Sequence, residues 1–129
     1  MDQVQLLTRF HAALLARDWQ TIQGSFATGC ELAISGRSPL AGFYKGPTDA
    51  VNALRGLADE TDLGTIEDDT HDVCTSDYHA ILIDWLRAAR NGRTAQFYIH
   101  LICAFDGDTI LRAFASFDSQ YEFDDLWSS

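Results

Sequence analysis

AQFYIHLICAF, residues 95–105, decides how this chain is read. Phe97, Ile99, Leu101, Ile102, Cys103 and Phe105 make it strand-like, because β-branched and aromatic side chains suit a pleated, half-buried surface. Successive strand residues face opposite sides. Phe97, Ile99, Leu101 and Cys103 therefore oppose Tyr98, His100 and Ile102, and both sides are largely apolar. The titratable His100 in the middle is either a core histidine with one hydrogen-bond partner or a histidine facing a ligand cavity.

Segments of the same character flank it. Residues 65–75, 78–90 and 109–119, like 93–105, are rich in Val, Ile, Tyr, Phe and Trp. SD, NG and DGD separate them, all turn chemistry. The first half of the chain is different. Residues 2–17 spell a helix with a stripe of Val4, Leu7, His11 and Leu14, flanked by Phe10. Asp18 is placed to cap a second helix over 19–26. Residues 31–35 read as a short strand and GRSPLAGFYKGP, 36–47, as a loop. Pro47 opens a third helix, whose stripe is Ala50, Val51, Leu54, Leu57 and Ala58. Helices first and antiparallel strands afterwards predict an α+β fold, with helices on one face of a curved sheet.

The totals narrow the function classes. A chain of 129 residues fits one domain, 1–129, and 47% hydrophobic residues supply a real core. The net charge of −10, from 19 acidic against 9 basic residues, disfavours nucleic acid and an anionic membrane surface, since both demand a basic footprint. No run approaches the ~20 apolar residues of a membrane span. The amphipathic N-terminus does not read as a signal peptide. Cys30, Cys74 and Cys103 are odd in number and widely spaced, which fits reduced thiols in a cytoplasmic protein.

Both strand faces being apolar has a consequence. A sheet with helices on one face exposes the other, so an apolar outer face calls for a cover, and a second copy is the simplest. In 78–90, Ile81, Ile83 and Trp85 point one way, and Leu82, Asp84 and Leu86 the other. Assigning Ile81, Ile83, Trp85, Phe97, Ile99 and Leu101 outward makes a homodimer face. It leaves Asp84, Tyr98 and His100 inward.

Turn geometry places the acids. With a bulge at Gly92 after a turn at Arg90 and Asn91, Asp84 pairs with Tyr98 and lies diagonal to His100. With a three-residue loop of Asp106, Gly107 and Asp108, Asp118 lies across from Gln96. Asp84 and Asp118 then flank Gln96, Tyr98 and His100 on one cavity wall. A strict two-residue turn of Asn91 and Gly92 instead sends Asp84 and His100 to opposite faces. Two carboxylates in an apolar cavity cannot both ionise cheaply. His100 supplies the compensating charge or shares a proton with Asp84, and either arrangement provides an acid and a base. The expected cavity lining is Tyr98, Gln96, Leu82, Phe10, His11, Leu14 and Phe114. His71 and His79 read as surface residues. EDDTHD, 67–72, reads as a solvated strand edge, because metal ligands must converge. No metal or cofactor is implied. Phe123 and Trp127 are expected to pack the C-terminal segment across the cavity mouth.

Three segments carry a resemblance: LLTRFHAALLARDWQTI at 6–22, LAGFYKGPTDAV at 40–51 and NGRTAQFYIHLICAFDGDTILRAFASFD at 91–118. Together, over nearly the whole chain, they resemble the nuclear transport factor 2-like superfamily. Its members include SnoaL-like polyketide cyclases, ketosteroid isomerases and limonene epoxide hydrolase. The resemblance implies a cone-shaped barrel of a curved, mainly antiparallel sheet wrapped around N-terminal helices (the cystatin-like fold). It also implies an apolar cavity and dimerisation through the outer sheet face. Asp84 in ILIDWLRA matches an aspartate of the epoxide hydrolase pattern, with Leu82 where that pattern has arginine. Asp118 in FASFD matches the last-strand acid of the hydrolase and the cyclases. The ketosteroid isomerase oxyanion tyrosine, base and second acid fall on Phe10, Ile34 and His100. The expected catalytic set is Asp118, His100 and Asp84. The expected activity is acid/base catalysis of isomerase, cyclase or dehydratase type on a small apolar molecule bearing a carbonyl or hydroxyl group. The alternatives are a hydrolase activating water with Asp118 and a non-catalytic ligand-binding or dimerisation domain.

Overall fold

The structure, a computed structural model, describes residues 2–61, 64–65 and 72–127. Helix α1 (Gln3–Ala16) begins at a capping box: Asp2 accepts from the Gln5 amide, and the Gln5 side chain accepts from the Asp2 amide. It buries Leu7, Phe10, His11, Ala13 and Leu14, while Val4 falls off the stripe and is exposed. Helix α2 (Trp19–Gly24) is capped by Asp18, as its position predicts. The Thr21 hydroxyl and amide donate to the Asp18 carboxyl and hold its pKa below the usual value. Helix α3 (Pro47–Glu60) has Pro at its first turn, directly after Gly46 at φ 83°.

Strand β1 (Phe26–Ile34) is longer than the sequence pattern indicates. Strand β2 (Gly42–Lys45) forms inside the stretch expected to be loop. It pairs antiparallel with β1, and four residues are too few to display a period. Strands β3 (Gly64–Thr65) and β4 (Asp72–Thr75) both pair with β5 (Ala80–Arg90). His71 and residues 67–71 of the acidic stretch lie outside the described residues. Strands β6 (Arg93–Asp106) and β7 (Thr109–Phe117) and helix α4 (Gln120–Asp125) follow.

The sheet order is β2-β1-β7-β6-β5-β3, with β4 also on β5. Among the described strands every pairing is antiparallel except β1 with β7. The sheet is curved and open, so the expected cone of mainly antiparallel strands around N-terminal helices is the architecture found. Helix α1 lies against β4 and β5, α3 against β1 and β2, and α4 against β6 and β7.

The β5–β6 register corrects the expected one. Asn91 and Gly92 have φ of 52° and 79°, and Arg90 pairs with Arg93. That is a two-residue turn with both central residues in the left-handed region, whose twist matches that of the strands. No bulge forms at Gly92. Asp84 pairs with Ile99 and Ile83 with His100, one residue away from the expected match. A one-residue slip exchanges faces. Phe97, Ile99 and Leu101, expected outward, are buried inward, while Ile81, Ile83 and Trp85 face outward as expected.

The β6–β7 connection also differs, without changing faces. Asp106 pairs with Thr109 across two residues, and an irregularity sits between Ala104 and Phe105. Asp118 consequently bonds Tyr98, not Gln96. This offset of two keeps Gln96, Tyr98, His100, Phe114 and Asp118 on one face, the outer one.

Helix α4 crosses the inner face at the hairpin end. Phe123 is fully buried, stacked on Phe117 with centroids 3.9 Å apart and edge-on to Phe97 at 5.3 Å. Arg93 donates to the Asp125 carbonyl at 2.8 Å, and the Arg90 guanidinium sits 4.9 Å from the Trp127 ring. Truncating Phe123→Ala leaves a void beneath α4 and is expected to cost about 3–5 kcal/mol in urea denaturation. A loss under ~1 kcal/mol would mean that α4 is not part of the core.

Candidate functional site

Alternation along β5 places Asp84 between Leu82 and Leu86 on the inner face. The stripe of α1 places His11 above it. The two meet: His11 Nε2 lies 2.5 Å from Asp84 Oδ2, a bond in which the imidazole N–H donates to the carboxylate. Asp84 is 1% exposed and His11 7%. Burying a carboxylate this completely is tolerable only with a hydrogen-bonded partner, and a charge-assisted bond of this length is a strong one.

The surroundings are apolar. Phe10, Leu14, Leu54, Leu82, Ile99 and Leu101 line the cavity around the pair, from α1, α3, β5 and β6. Its volume is about 20 Å³, room for about one water molecule. Pockets that enclose drug-sized molecules run to roughly 300–1,000 Å³, so an organic guest requires the walls to move apart.

Of the residues expected at the site, the structure brings together Asp84, His11, Phe10, Leu14 and Leu82. The register sends the others to the outer face. His100 is half-buried there, its Nδ1 3.5 Å from the Ser116 hydroxyl. Tyr98 stacks on Trp85 with centroids 5.6 Å apart. Gln96 and Phe114 are exposed. Asp118 is exposed, and its Oδ1 accepts from the Tyr98 amide at 2.7 Å, so it holds sheet backbone and does not enter the cavity. The expected pairing of Asp84 with His100 is replaced by Asp84 with His11. The signal for His11 was its position on the buried stripe of α1, which marks it as lining without revealing its partner.

His79 is exposed, as expected. Among the described residues no three His, Cys, Asp or Glu side chains converge as a metal site requires. On the outer face, Ala33, Phe43, Ile102, Ala104, Arg112 and Phe114 line an open groove of about 260 Å³.

Comparison with solved structures identifies the fold. A protein of unknown function with a cystatin-like fold from Xanthomonas campestris superposes with a TM-score of 0.86 at 15% identity, covering 100% of both chains. Bal32a, from a soil-derived mobile gene cassette, gives 0.84 at 22% identity over 96% of this chain and 95% of its own. TerC, co-crystallised with polyporic acid, gives 0.77 at 15% identity over 98% of each. Other similar chains are NTF2-like proteins, a candidate polyketide cyclase and a candidate isomerase. The chain has the NTF2-like, cystatin-like fold. No family model and no curated protein matches it. Likeness at these identities speaks to fold, and reaction is decided at the site. Among the described residues no helix is long and apolar enough to cross a membrane.

Burial controls the cysteines. It pushes the Cys103 thiol up to about 12 and raises that of Cys30, whereas Cys74 is exposed on β4. The thiolate is the reactive species. An aromatic disulfide reagent at pH 8 is therefore expected to titrate Cys74 alone in the native protein, and all three free cysteines after denaturation. Rapid native labelling of Cys103 would contradict this packing.

Proposed function

We propose that this protein binds a small apolar molecule bearing a carbonyl or hydroxyl group in the α1–β5 cavity and moves a proton on it with the His11–Asp84 pair. One observation carries the reading: the 2.5 Å bond between two buried ionisable side chains in an otherwise apolar cavity. Ion pairs kept in such places are poor stabilisers, because apolar side chains of similar volume do as well or better. They are common where acid/base chemistry is done. A proton taken from the guest rests on the pair and returns at a second atom, which suits isomerisation, cyclisation or dehydration. That two chains of this fold are a candidate polyketide cyclase and a candidate isomerase, and that a third was crystallised with polyporic acid, is consistent with it.

A second reading, a non-catalytic ligand-binding or dimerisation domain, is favoured by the apolar outer face, since the inner cavity of about 20 Å³ admits no organic guest unless its walls move apart. The two separate by experiment. Apolar ketones and alcohols are screened by thermal shift. With a binder that turns over, Asp84→Asn is expected to cut the rate by about 10²–10⁴-fold. Binding without turnover leaves only the second reading.

Stability offers an independent check that needs no ligand. Asp84→Ala alone is expected to cost about 3–5 kcal/mol, since it leaves the imidazole buried and unpaired. The double variant His11→Leu with Asp84→Leu is expected to come within about 1 kcal/mol of the native protein or exceed it. If the double variant is as unstable as the single one, the pair is structural.

The three free cysteines suit a reducing compartment, and we place the protein in the cytoplasm. We also propose a homodimer through the outer sheet face, where Ile81, Ile83 and Trp85 stand beside Tyr98, Ile102 and Phe114. Sedimentation at micromolar concentration is expected to give twice the chain mass, and a clean monomer would remove this proposal.

A further inference from the structure

Strand pairing arranges the outer face over β2, β1, β7 and β6 in two neighbouring rows. One row runs Lys45, Glu31, Arg112 and Ala104 across those four strands. His79 continues it, because Ala80, the next residue, pairs with Cys103. The other row runs Phe43, Ala33, Phe114 and Ile102. Charged groups fill one row and apolar side chains the other, and each row drops to an alanine between larger neighbours. The result is the open groove of about 260 Å³. Pockets for drug-sized molecules begin at roughly 300 Å³, so this groove suits a guest of one or two rings without any wall moving. The charges of the first row do not cancel. Glu31 is engaged by Lys45, with Oε1 3.8 Å from Nζ. Arg112 neighbours Glu31 in register, yet among the described residues the side chains of Arg112 and His79 make no ion pair. His79 is fixed through its backbone: its amide donates to the Ser76 hydroxyl at 3.2 Å, and its carbonyl accepts from the Ser76 amide at 2.8 Å. Asp77 and Asp106, acids close to His79 and Ala104 in sequence, are exposed and do not line the groove. In a chain of net charge −10, the gap between Arg112 and His79 is a cationic exception.

We infer that this groove binds a planar aromatic carboxylate, with the carboxylate over Ala104 between Arg112 and His79 and the ring against Phe114 and Ile102. Strand β7 and the start of β5 are two strand spacings apart, roughly 10 Å. A carboxylate that accepts one hydrogen bond on each side spans about 8 Å from donor to donor, which fits that gap above a small residue. The planar fork of an arginine matches a carboxylate in shape and in charge. Phe114 is 44% exposed, and Phe43, on the far side of Ala33, is 82% exposed. Rings left in water at the edge of a groove gain from a further ring set offset or edge-on against them. A cationic guest is disfavoured, since only Glu31 would receive it and Lys45 already faces that carboxylate. The groove lies on the face of the sheet opposite the α1–β5 cavity and rests on no reading of that cavity.

Naphthoate is the probe, and its binding is followed through the backbone amide signals of the nitrogen-labelled protein by NMR. Saturable shifts are expected at Ala33, Ala104, Arg112 and Phe114, while His11 and Leu54, on helices in the inner cavity, stay where they are. Arg112→Gln is expected to weaken binding by about tenfold or more, as loss of a charge-assisted hydrogen bond does. Ala104→Leu, which fills the hollow, is expected to abolish binding in a protein whose spectrum is still that of the folded chain. Naphthamide, which keeps the shape and lacks the charge, is expected to bind at least about tenfold more weakly than the acid. Shifts centred on His11 and Leu54 overturn the site, as does an affinity indifferent to both Arg112→Gln and Ala104→Leu. An amide that binds as well as the acid overturns the carboxylate. The absence of any saturable shift overturns the whole inference, and if that protein also sediments at twice the chain mass, a second copy covers the groove instead.

Discussion

The two-residue turn at Asn91 and Gly92 governs what this protein can do. Both residues occupy the left-handed region, and this turn type fits the natural twist of a hairpin without splaying its strands. Having no spare residue, it sets β5 against β6 in one register over eleven paired positions. Because side chains alternate strictly, that register settles which residues share the helix side and which the outside. Asp84 goes in. Tyr98 and His100 go out.

Once Asp84 is buried, its partner must come from the helix layer. Among the inward neighbours on β5 and β6, namely Leu82, Leu86, Phe97, Ile99 and Leu101, none can donate a hydrogen bond from its side chain. Helix α1 crosses β5 and presents His11 at that point. The core around the pair is otherwise continuous. Phe97 packs on Phe117 and Phe123, so α4 seals the hairpin end with aromatic rings. Among the described residues, the ionisable side chains buried inside the cone opposite β5 meet in this one bond, where the low dielectric both strengthens the pair and makes its loss costly.

Most of the fold was legible in the sequence because its signals are local. The α1 stripe, the Asp18 cap, the Pro47 start and the turn residues between strands each act within a few positions. The site was only half legible. Burial of Asp84 and the cavity positions of His11, Phe10, Leu14 and Leu82 follow from amphipathic period. The partnership does not, because it depends on a pairing parity that NG leaves open between a tight turn and a bulge. An apolar pattern on both sides of β6 removed the usual remedy, since hydrophobicity could not say which side was the core. Strand β2 and helix α4 were missed for a related reason: four and six residues are shorter than the period that would reveal them.

That two-sided pattern carries the last step. A strand of a half-exposed sheet normally alternates apolar with polar, and β6 declines to do so through Tyr98 and Ile102. The excess cannot be explained by the interior, which is already filled by Phe97, Ile99, Leu101 and Cys103. Nor is it uniform, as a merely greasy surface would be. It is punctuated by His100, Ser116, Asp118 and Arg112 at positions that leave room for rings between them. A chain that needed only solubility would have placed lysine and glutamate there. The outer surface is therefore constrained in shape and in charge, independently of the chemistry on the inner one.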